Sequence, residues 1–113
     1  STIPVTTPGA FGKGVEIYDL QDLERQPQAT FQERPQYPYE AKRRGEEGTV
    51  DVGFLVDTNG RVRDSYIIES SSADFEAPAL RAIRGWRFQP GMKTGRPVNT
   101  RMRQLFTFKL ENQ

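Results

Sequence analysis

The segment TVDVGFLVDTNGRV, residues 49–62, contains the pattern that decides the fold. Apolar side chains occupy alternate positions of its first half, at Val50, Val52, Phe54 and Val56. This two-residue period is typical of a strand with one buried face. The dipeptide Asn59-Gly60 follows, and it tolerates positive φ at both central positions of a tight turn. The segment therefore predicts a strand over residues 49–56 and a reversal of the chain after it.

The residues after the turn predict the returning strand of a hairpin, from Val62 to Ser70. Three consecutive large side chains, Tyr66, Ile67 and Ile68, interrupt the alternation of this strand. An interruption of this kind indicates a bulge or a twisted end, because one extra residue is inserted opposite its partner.

Helices are predicted on both sides of the hairpin. Before it, Pro38 suits the first turn of a short helix over residues 38–44, and Gly45 suits the position after its end. After it, the serines at 70–72 cap a longer helix over residues 73–86. The apolar face of this longer helix contains Phe75, Ala79, Ala82, Ile83 and Trp86.

A long strand is predicted over residues 98–110, after a turn-rich loop that runs to Pro97. Its core-facing parity contains Val98, Met102, Phe106, Phe108 and Leu110, and the opposite parity contains Arg101, Arg103 and Lys109. The complete order of elements is therefore α-β-β-α-β.

This order restricts the topology. The hairpin makes the first two strands antiparallel, and a right-handed helical crossover places the third strand parallel to the second. The third strand then lies beside the first, which gives the strand order 2-1-3. We predict an α+β fold of two layers, with a three-stranded antiparallel sheet and both helices on one face. The third strand is left at an edge of the sheet.

Composition limits the functions that are open to the chain. Its 113 residues suffice for one domain, and a net charge of +1 gives no argument for nucleic acid or an anionic membrane as a partner. The absence of histidine and cysteine excludes a Ser-His-Asp triad, a thiolate nucleophile, a disulfide and a Cys/His zinc site. We therefore expect no enzyme activity, no cofactor and no metal.

Charge and composition also divide the chain near residue 34. Residues 1–33 contain two basic and five acidic side chains, and their prolines and glycines are typical of a linker. We expect this segment to be a flexible arm, in which Val15, Ile17 and Leu20 are compatible with one short strand that docks on a sheet edge. Residues 34–113 are expected to form the folded domain.

The long strand at the sheet edge has two interpretations. Its basic residues Arg101, Arg103 and Lys109 are typical of gatekeepers, which keep an exposed edge from aggregating. Alternatively, the edge is the binding surface, and an extended peptide adds to it as a further strand through main-chain hydrogen bonds. Neither interpretation requires catalysis.

The other groups of residues that could carry a function are better explained by structural roles. The loop at 91–96 has glycines and basic residues, but it lacks the spacing of a P-loop. Asp57 and Asp64 lie near a hairpin, where acidic residues are usually solvated rather than catalytic. Nucleic-acid binding by an aromatic strand surface is disfavoured because the alternation places Phe54 on the core side. Trp86, the sole tryptophan, is interpreted as a core anchor of the second helix.

Roughly residues 35–110 resemble the C-terminal domain of TonB-type energy transducers. The motifs that carry the resemblance are PQYP at 35–38, EAKRRGEEGTVDVGFLVDTNGRV at 40–62, ALRAIRGWRFQPG at 79–91, GRPV at 95–98 and FTFKL at 106–110. Each motif alone also has a structural explanation, so their order and spacing together make the match. Pro78 departs from the family pattern, in which helix-friendly residues occupy this position.

The resemblance implies a periplasmic, non-enzymatic domain of a longer protein. That protein would have an N-terminal inner-membrane helix, a Pro-rich linker ending at residues 1–33, and an ExbB/ExbD-type motor as a partner. The domain would bind the TonB box, a short extended segment of TonB-dependent outer-membrane receptors. It would then transmit pull derived from the proton-motive force for nutrient import.

The resemblance also implies the site residues. The receptor-pairing strand of the family falls on Arg101, Met102, Arg103, Gln104, Leu105, Phe106 and Thr107. Tyr37 and Pro38 match the motif that opens the domain. The alternative is a TonB-like interaction domain of another periplasmic or sensory protein, in which the same edge pairs with a partner or with a second copy as a homodimer.

Overall fold

The computed structural model describes residues 15–111, in which two helices and seven strands form. The strands are β1 (Ile17–Tyr18), β2 (Gln28–Phe31), β3 (Gly48–Val56), β4 (Val62–Ser70), β5 (Arg87–Gln89), β6 (Gly91–Lys93) and β7 (Arg96–Phe108). The helices are α1 (Tyr39–Arg43) and α2 (Glu76–Arg84), and two 3-10 turns cover Leu20–Asp22 and Ala73–Phe75. None of the helices in this range is long and apolar enough to cross a membrane.

The predicted hairpin is formed by β3 and β4, which pair antiparallel. Its turn differs from the prediction, because Gly60 has a φ of 81° whereas Asn59 does not have a positive φ. The carboxylate of Asp57 shapes the turn by accepting hydrogen bonds from the amides of Asn59 and Arg61, both at 2.9 Å. Burial raises the pKa of Asp57, but hydrogen bonds from Arg61, Arg63 and Asn59 outweigh it and hold the pKa below its usual value.

The predicted interruption of β4 is confirmed. The register between β3 and β4 shifts where Ile68 is the extra residue, within the segment that breaks the alternation. A second shift lies near Asp64, whose φ of 51° is in the left-handed region. No large side chain marks this second bulge, and the sequence did not predict it.

The main sheet is larger than predicted. Its strand order is β1-β7-β3-β4, with β6 also pairing to β7, and β3 is antiparallel to both of its neighbours. The α+β class is confirmed, but the prediction of only three strands is wrong. Beyond the three long strands, β1 and β6 join the main sheet, and β2 and β5 form a separate two-stranded sheet. These four strands have two to four residues each, too few to show an alternating pattern.

The predicted loop before the long strand is instead a hairpin of β6 and β7. Thr94 and Gly95 have φ values of 53° and 72°, so both central residues of this turn are left-handed. Because of this hairpin, β7 begins at Arg96 rather than at residue 98, and it ends at Phe108.

The second helix is shorter than the predicted range of 73–86. A 3-10 turn precedes it, with the Ser72 hydroxyl accepting a hydrogen bond from the Asp74 amide, and Pro78 lies in the first turn of α2. The helix ends at Arg84, so Trp86 lies beyond it, between α2 and β5. The first helix, α1, agrees with its predicted range, and Gly45 beyond its end has a φ of 70°.

Both helices contribute to one buried cluster with the central strands. Its members are Ala41, Val50, Val52, Phe54, Val56, Phe75, Ala79, Ala82, Ile83, Trp86, Phe88, Phe106 and Phe108. The alternation of β3 is therefore confirmed, since its four even-numbered apolar residues all lie in this cluster. Phe88 of β5 packs against Phe54 with ring centroids 5.8 Å apart.

The described part of the arm contacts the domain. Within the segment for which a short strand was predicted, β1 forms at Ile17–Tyr18, and it pairs with β7. At the other end of the arm, the Glu33 carbonyl accepts a hydrogen bond from Trp86 Nε1 at 2.9 Å. Residues 1–14 lie outside the described residues, and the flexibility of residues 1–33 stays a prediction.

Candidate functional site

The candidate site is the long strand β7, which pairs with β3 without a register break. Nine consecutive pairs join the two strands, from Val56 and Thr100 at one end to Gly48 and Phe108 at the other. An unbroken ladder keeps β7 extended, so its other edge presents backbone groups at a regular spacing.

The outer edge of β7 is occupied along only part of its length. On this edge Asn99 and Thr100 pair with β1, while residues 96–98 form their hairpin with β6. Within residues 15–111, no strand pairs with the outer edge over residues 101–108. The prediction that the whole strand lies at an edge is therefore wrong at Asn99 and Thr100, because β1 of the arm pairs with them.

The seven predicted binding residues lie in the part of β7 that has no outer partner. Phe106 is buried in the core, and Met102 packs partly buried against the core. Arg101 and Gln104 are half-buried, and Arg103, Leu105 and Thr107 are exposed. A partner that pairs here would therefore contact backbone along the strand and only some of these side chains.

The sheet has a second outer strand, β4, whose outer side also lacks a strand partner within the described range. Its two bulges, at Ile68 and near Asp64, interrupt the spacing of its backbone groups. Bulges of this kind are a common protection of edges against pairing with another chain. Because β7 has no such interruption, it is the better platform for an added strand.

Two arginines of β7 form ion pairs on the face of the sheet that is opposite the core. Arg103 pairs with Asp51 of β3, and the Arg101 Nε lies 3.5 Å from an Asp19 carboxylate oxygen. The pair with Asp51 raises the pKa of Arg103. Leu105 lies on the same face, with 56% of its surface exposed. Asp51 and Asp19 were not predicted as site residues. The even-numbered apolar residues of β3 face the core, so the odd-numbered Asp51 could have been placed on this outer face.

Tyr37 and Pro38 hold the far end of β7 in place. The Tyr37 hydroxyl donates a hydrogen bond to the Glu46 carbonyl, and its ring packs edge-to-face on Phe75 and Phe108, each with centroids 5.7 Å apart. Burial, together with the Glu47 and Glu46 carboxylates, raises the pKa of Tyr37. Pro38 is the N-cap of α1. The motif therefore has a structural role beside the last residues of the edge.

The acidic residues and the loop that the sequence raised as alternative sites have these surroundings in the structure. The described residues contain no group of three or more acidic residues that could hold a metal ion. Asp57 is engaged by the hairpin turn, and the 91–96 segment is itself a hairpin. The Asp64 Oδ2 atom is buried without a hydrogen-bond partner.

The ion pairs on the outer face lead to a prediction about stability. We expect Arg101→Ala and Arg103→Ala each to shift the melting temperature by no more than about 4 °C, because exposed ion pairs contribute little. Thermal unfolding followed by circular dichroism measures this, with Arg43→Ala as a control for an exposed pair far from the edge. A much larger loss would mean that these arginines hold the sheet together.

The comparison with known proteins agrees with this geometry. The family model for the Gram-negative bacterial TonB protein C-terminal matches residues 33–110. Protein TonB of Pseudomonas aeruginosa is 36% identical over 80 residues, which are 70% of this chain and 23% of that protein. Protein TonB of Vibrio cholerae is 37% identical over 81 residues, 71% of this chain and 33% of that protein. The chain thus spans about a quarter to a third of these relatives.

Solved structures show the same similarity. The solution NMR structure of the Pseudomonas aeruginosa TonB CTD superimposes with a TM-score of 0.68 at 32% identity, and the match covers 86% of this chain and 97% of that one. The TonB2 protein of Vibrio anguillarum gives a TM-score of 0.59 at 26% identity, with 98% and 100% covered. The chain belongs to the family of Gram-negative bacterial TonB protein C-terminal domains.

Proposed function

We propose that this domain is the receptor-binding part of a TonB-type energy transducer in the periplasm. It binds an extended receptor segment, the TonB box, by adding that segment as a strand to residues 101–107 of β7. The domain has no catalytic role. Its partner segment is anchored in an outer-membrane receptor, and the pull that the domain transmits serves nutrient import.

The observation that carries this proposal is the open edge of β7. The neighbouring Asn99 and Thr100 are covered by β1, whereas residues 101–108 have no strand partner on this outer side in the described part of the chain. An extended peptide can satisfy the outward-facing backbone groups of this segment. The membership in the TonB family supports the identity of the partner.

The expected affinity is modest. Seven residues form some four to seven strand hydrogen bonds, each with a net contribution of about 0.5–1.5 kcal/mol before the cost of ordering the peptide. The binding is therefore reversible, which suits repeated cycles of engagement and release.

The pairing of β7 also suits the transmission of force. On its inner side, β7 is held by nine register pairs with β3, and both strands contribute side chains to the core. An added strand of seven residues has fewer main-chain bonds and no core of its own. Tension between the partner and the domain therefore separates the partner before it separates β7 from the sheet.

Family membership supports a proposal for the rest of the transducer. Upstream of this domain we propose a Pro-rich linker, of which residues 1–33 are the end, and an inner-membrane helix that contacts an ExbB/ExbD-type motor. The runner-up is a related domain of another periplasmic or sensory protein, whose edge pairs with a partner or a second copy. Sedimentation of the free domain over a range of concentrations distinguishes the homodimer from the monomer.

The main prediction concerns peptide binding. Titration of the ¹⁵N-labelled domain with a TonB-box peptide is expected to shift the amides of residues 101–107 most, because these residues gain a strand neighbour. Shifts centred on α2 or on residues 91–96 would contradict the edge assignment.

A matched pair of modified peptides tests the strand geometry. N-methylation of one peptide amide removes a donor, and adjacent residues of a strand direct their donors to opposite sides. Two peptides that are methylated at neighbouring central positions should therefore differ, with only one of them losing most of its affinity. Leu105→Pro is the corresponding change in the protein, and it is informative if circular dichroism shows that the variant is folded. Equal binding of both methylated peptides would exclude strand addition.

A further inference from the structure

The arm strand β1 lies on the same outer edge of β7 that the proposed partner uses. It pairs in parallel, with Ile17 opposite Asn99 and Tyr18 opposite Thr100. The Asn99 side-chain amide also donates a hydrogen bond to the Glu16 carbonyl at 3.3 Å. Ile17 is buried, with 8% of its surface exposed. The strand therefore occupies the edge directly before the open segment begins.

After β1 the chain turns away from the edge and returns to β6. A 3-10 turn covers Leu20–Asp22, and Glu24 and Arg25 then donate backbone hydrogen bonds to the Met92 carbonyl at 2.9 and 3.3 Å. The Met92 amide donates to the Arg25 carbonyl at 2.9 Å. These bonds attach the arm to β6, so β1 is held at its place on the edge by its own pairs with β7 and by this second attachment.

The position of β1 limits how far a partner strand can extend. Neighbouring strands in a sheet lie about 4.8 Å apart, so a partner on residues 101–107 is in the same row as β1. A partner that continued to Thr100 would take the place of Tyr18. The Asp19 carboxylate, 3.5 Å from the Arg101 Nε, marks the boundary between the two.

We propose that β1 determines the specificity of the edge for length and register. It ends the partner strand at Arg101, and it competes with any longer segment for Asn99 and Thr100. This inference rests on the proposed strand addition at residues 101–107. Partners whose extended segment fits the open residues bind without disturbing the arm, whereas longer segments gain their extra pairs only by displacing β1.

The test compares two peptides on two proteins. The short peptide has seven residues and fits the open edge, and the long peptide adds two residues at the end that faces Thr100. In the wild-type chain both should bind with nearly equal Kd, because β1 occupies the added positions. In Ile17→Asp, which introduces a charge at a buried position of β1, the long peptide should bind about tenfold more tightly than the short one.

The control variant is Gln21→Asp, which makes the same change of charge at an exposed position of the arm outside β1. It should leave the two affinities equal. The amide signals of Asn99 and Thr100 give a readout without peptide, since they should shift in Ile17→Asp and stay in place in Gln21→Asp. Unchanged signals in Ile17→Asp would show that β1 does not lie on this edge, and the inference would be wrong.

A reversible disulfide between β1 and β7 provides the second part of the experiment. The chain has no cysteine, so Ile17→Cys with Asn99→Cys creates a single cross-link between directly opposite residues. The oxidised protein should bind both peptides equally. A long peptide that binds the oxidised protein tenfold more tightly than the short one would overturn the inference. If the short peptide bound to none of these proteins, including the wild type, the strand addition itself would be contradicted.

Discussion

Gly60→Ala is expected to destabilise the domain by about 3–5 kcal/mol, a large part of the total of about 5–15 kcal/mol that a domain of this size has. Gly60 has a φ of 81°, where a side chain costs about 1–2 kcal/mol. In addition, a Cβ atom at this position would lie 1.9 Å from the Phe88 carbonyl oxygen. That oxygen belongs to the backbone, so the clash is relieved only if β5 moves away from the hairpin.

This movement also breaks a hydrogen bond. The Phe88 amide donates to the Gly60 carbonyl at 2.9 Å, and a buried donor that loses its acceptor costs about 1–3 kcal/mol. Phe88 packs in the core against Phe54 and Trp86, so the displacement of β5 loosens the core as well. The contact between the turn and β5 is thus the reason for the large effect.

Gly45→Ala is the matched control for this prediction. Gly45 has a similar φ of 70°, but a Cβ atom there would have no neighbour within 4 Å. It should therefore show the backbone cost alone, about 1–2 kcal/mol. Chemical denaturation of both variants measures the difference, and equal losses would mean that β5 does not pack on the turn as the structure places it.

The central hairpin was predictable because its signals are local. The alternation lies within residues 49–56, and the Asn-Gly turn needs only the four residues 57–60. The structure has the strand β3 at Gly48–Val56, nearly the predicted range. Asn59 nevertheless does not have a positive φ, because the carboxylate of Asp57 holds the amides of Asn59 and Arg61. A side-chain hydrogen bond from a neighbouring residue therefore changed the turn type without changing the reversal.

The elements that the sequence did not predict depend on distant partners. The strand β5 forms because Phe88 is buried and because Arg87 and Gln89 pair with β2, which is nearly sixty residues earlier in the chain. The strands β2, β5 and β6 have three or four residues each and no recognisable period, so nothing in their own composition marks them. The short strand that was expected within residues 15–20 does form, as β1, and its bounds depend on its two pairs with β7.

The burial pattern of β7 was predictable, whereas the start of its open edge was not. The parity of β7 identified which side chains face the core, and Phe106 and Phe108 are buried as expected. The start of the open edge at Arg101 could not be predicted, because it depends on where β1 ends. This limit is a consequence of the tertiary fold.

Trp86→Ala is expected to produce the second large loss of stability, about 3–5 kcal/mol, which is usual for removing a large aromatic side chain from a core. Trp86 is 6% exposed and packs on Phe106 of β7 and on Phe88 of β5, with ring centroids 5.7 and 6.0 Å apart. Its Nε1 also donates to the Glu33 carbonyl at 2.9 Å. The residue therefore joins β5, β7 and the end of the arm.

Trp86→Phe separates the two contributions of this side chain. It keeps an aromatic ring in the core but removes the donor to Glu33, so its loss should be smaller, with about 1 kcal/mol from the hydrogen bond. For Trp86→Ala, the melting temperature should fall by more than about 10 °C. Peptide binding should fall only in proportion to the unfolded fraction, because the indole packs behind β7 and not at its open edge. Trp86→Ala that melts like the wild type but does not bind the peptide would show instead that Trp86 contacts the partner directly.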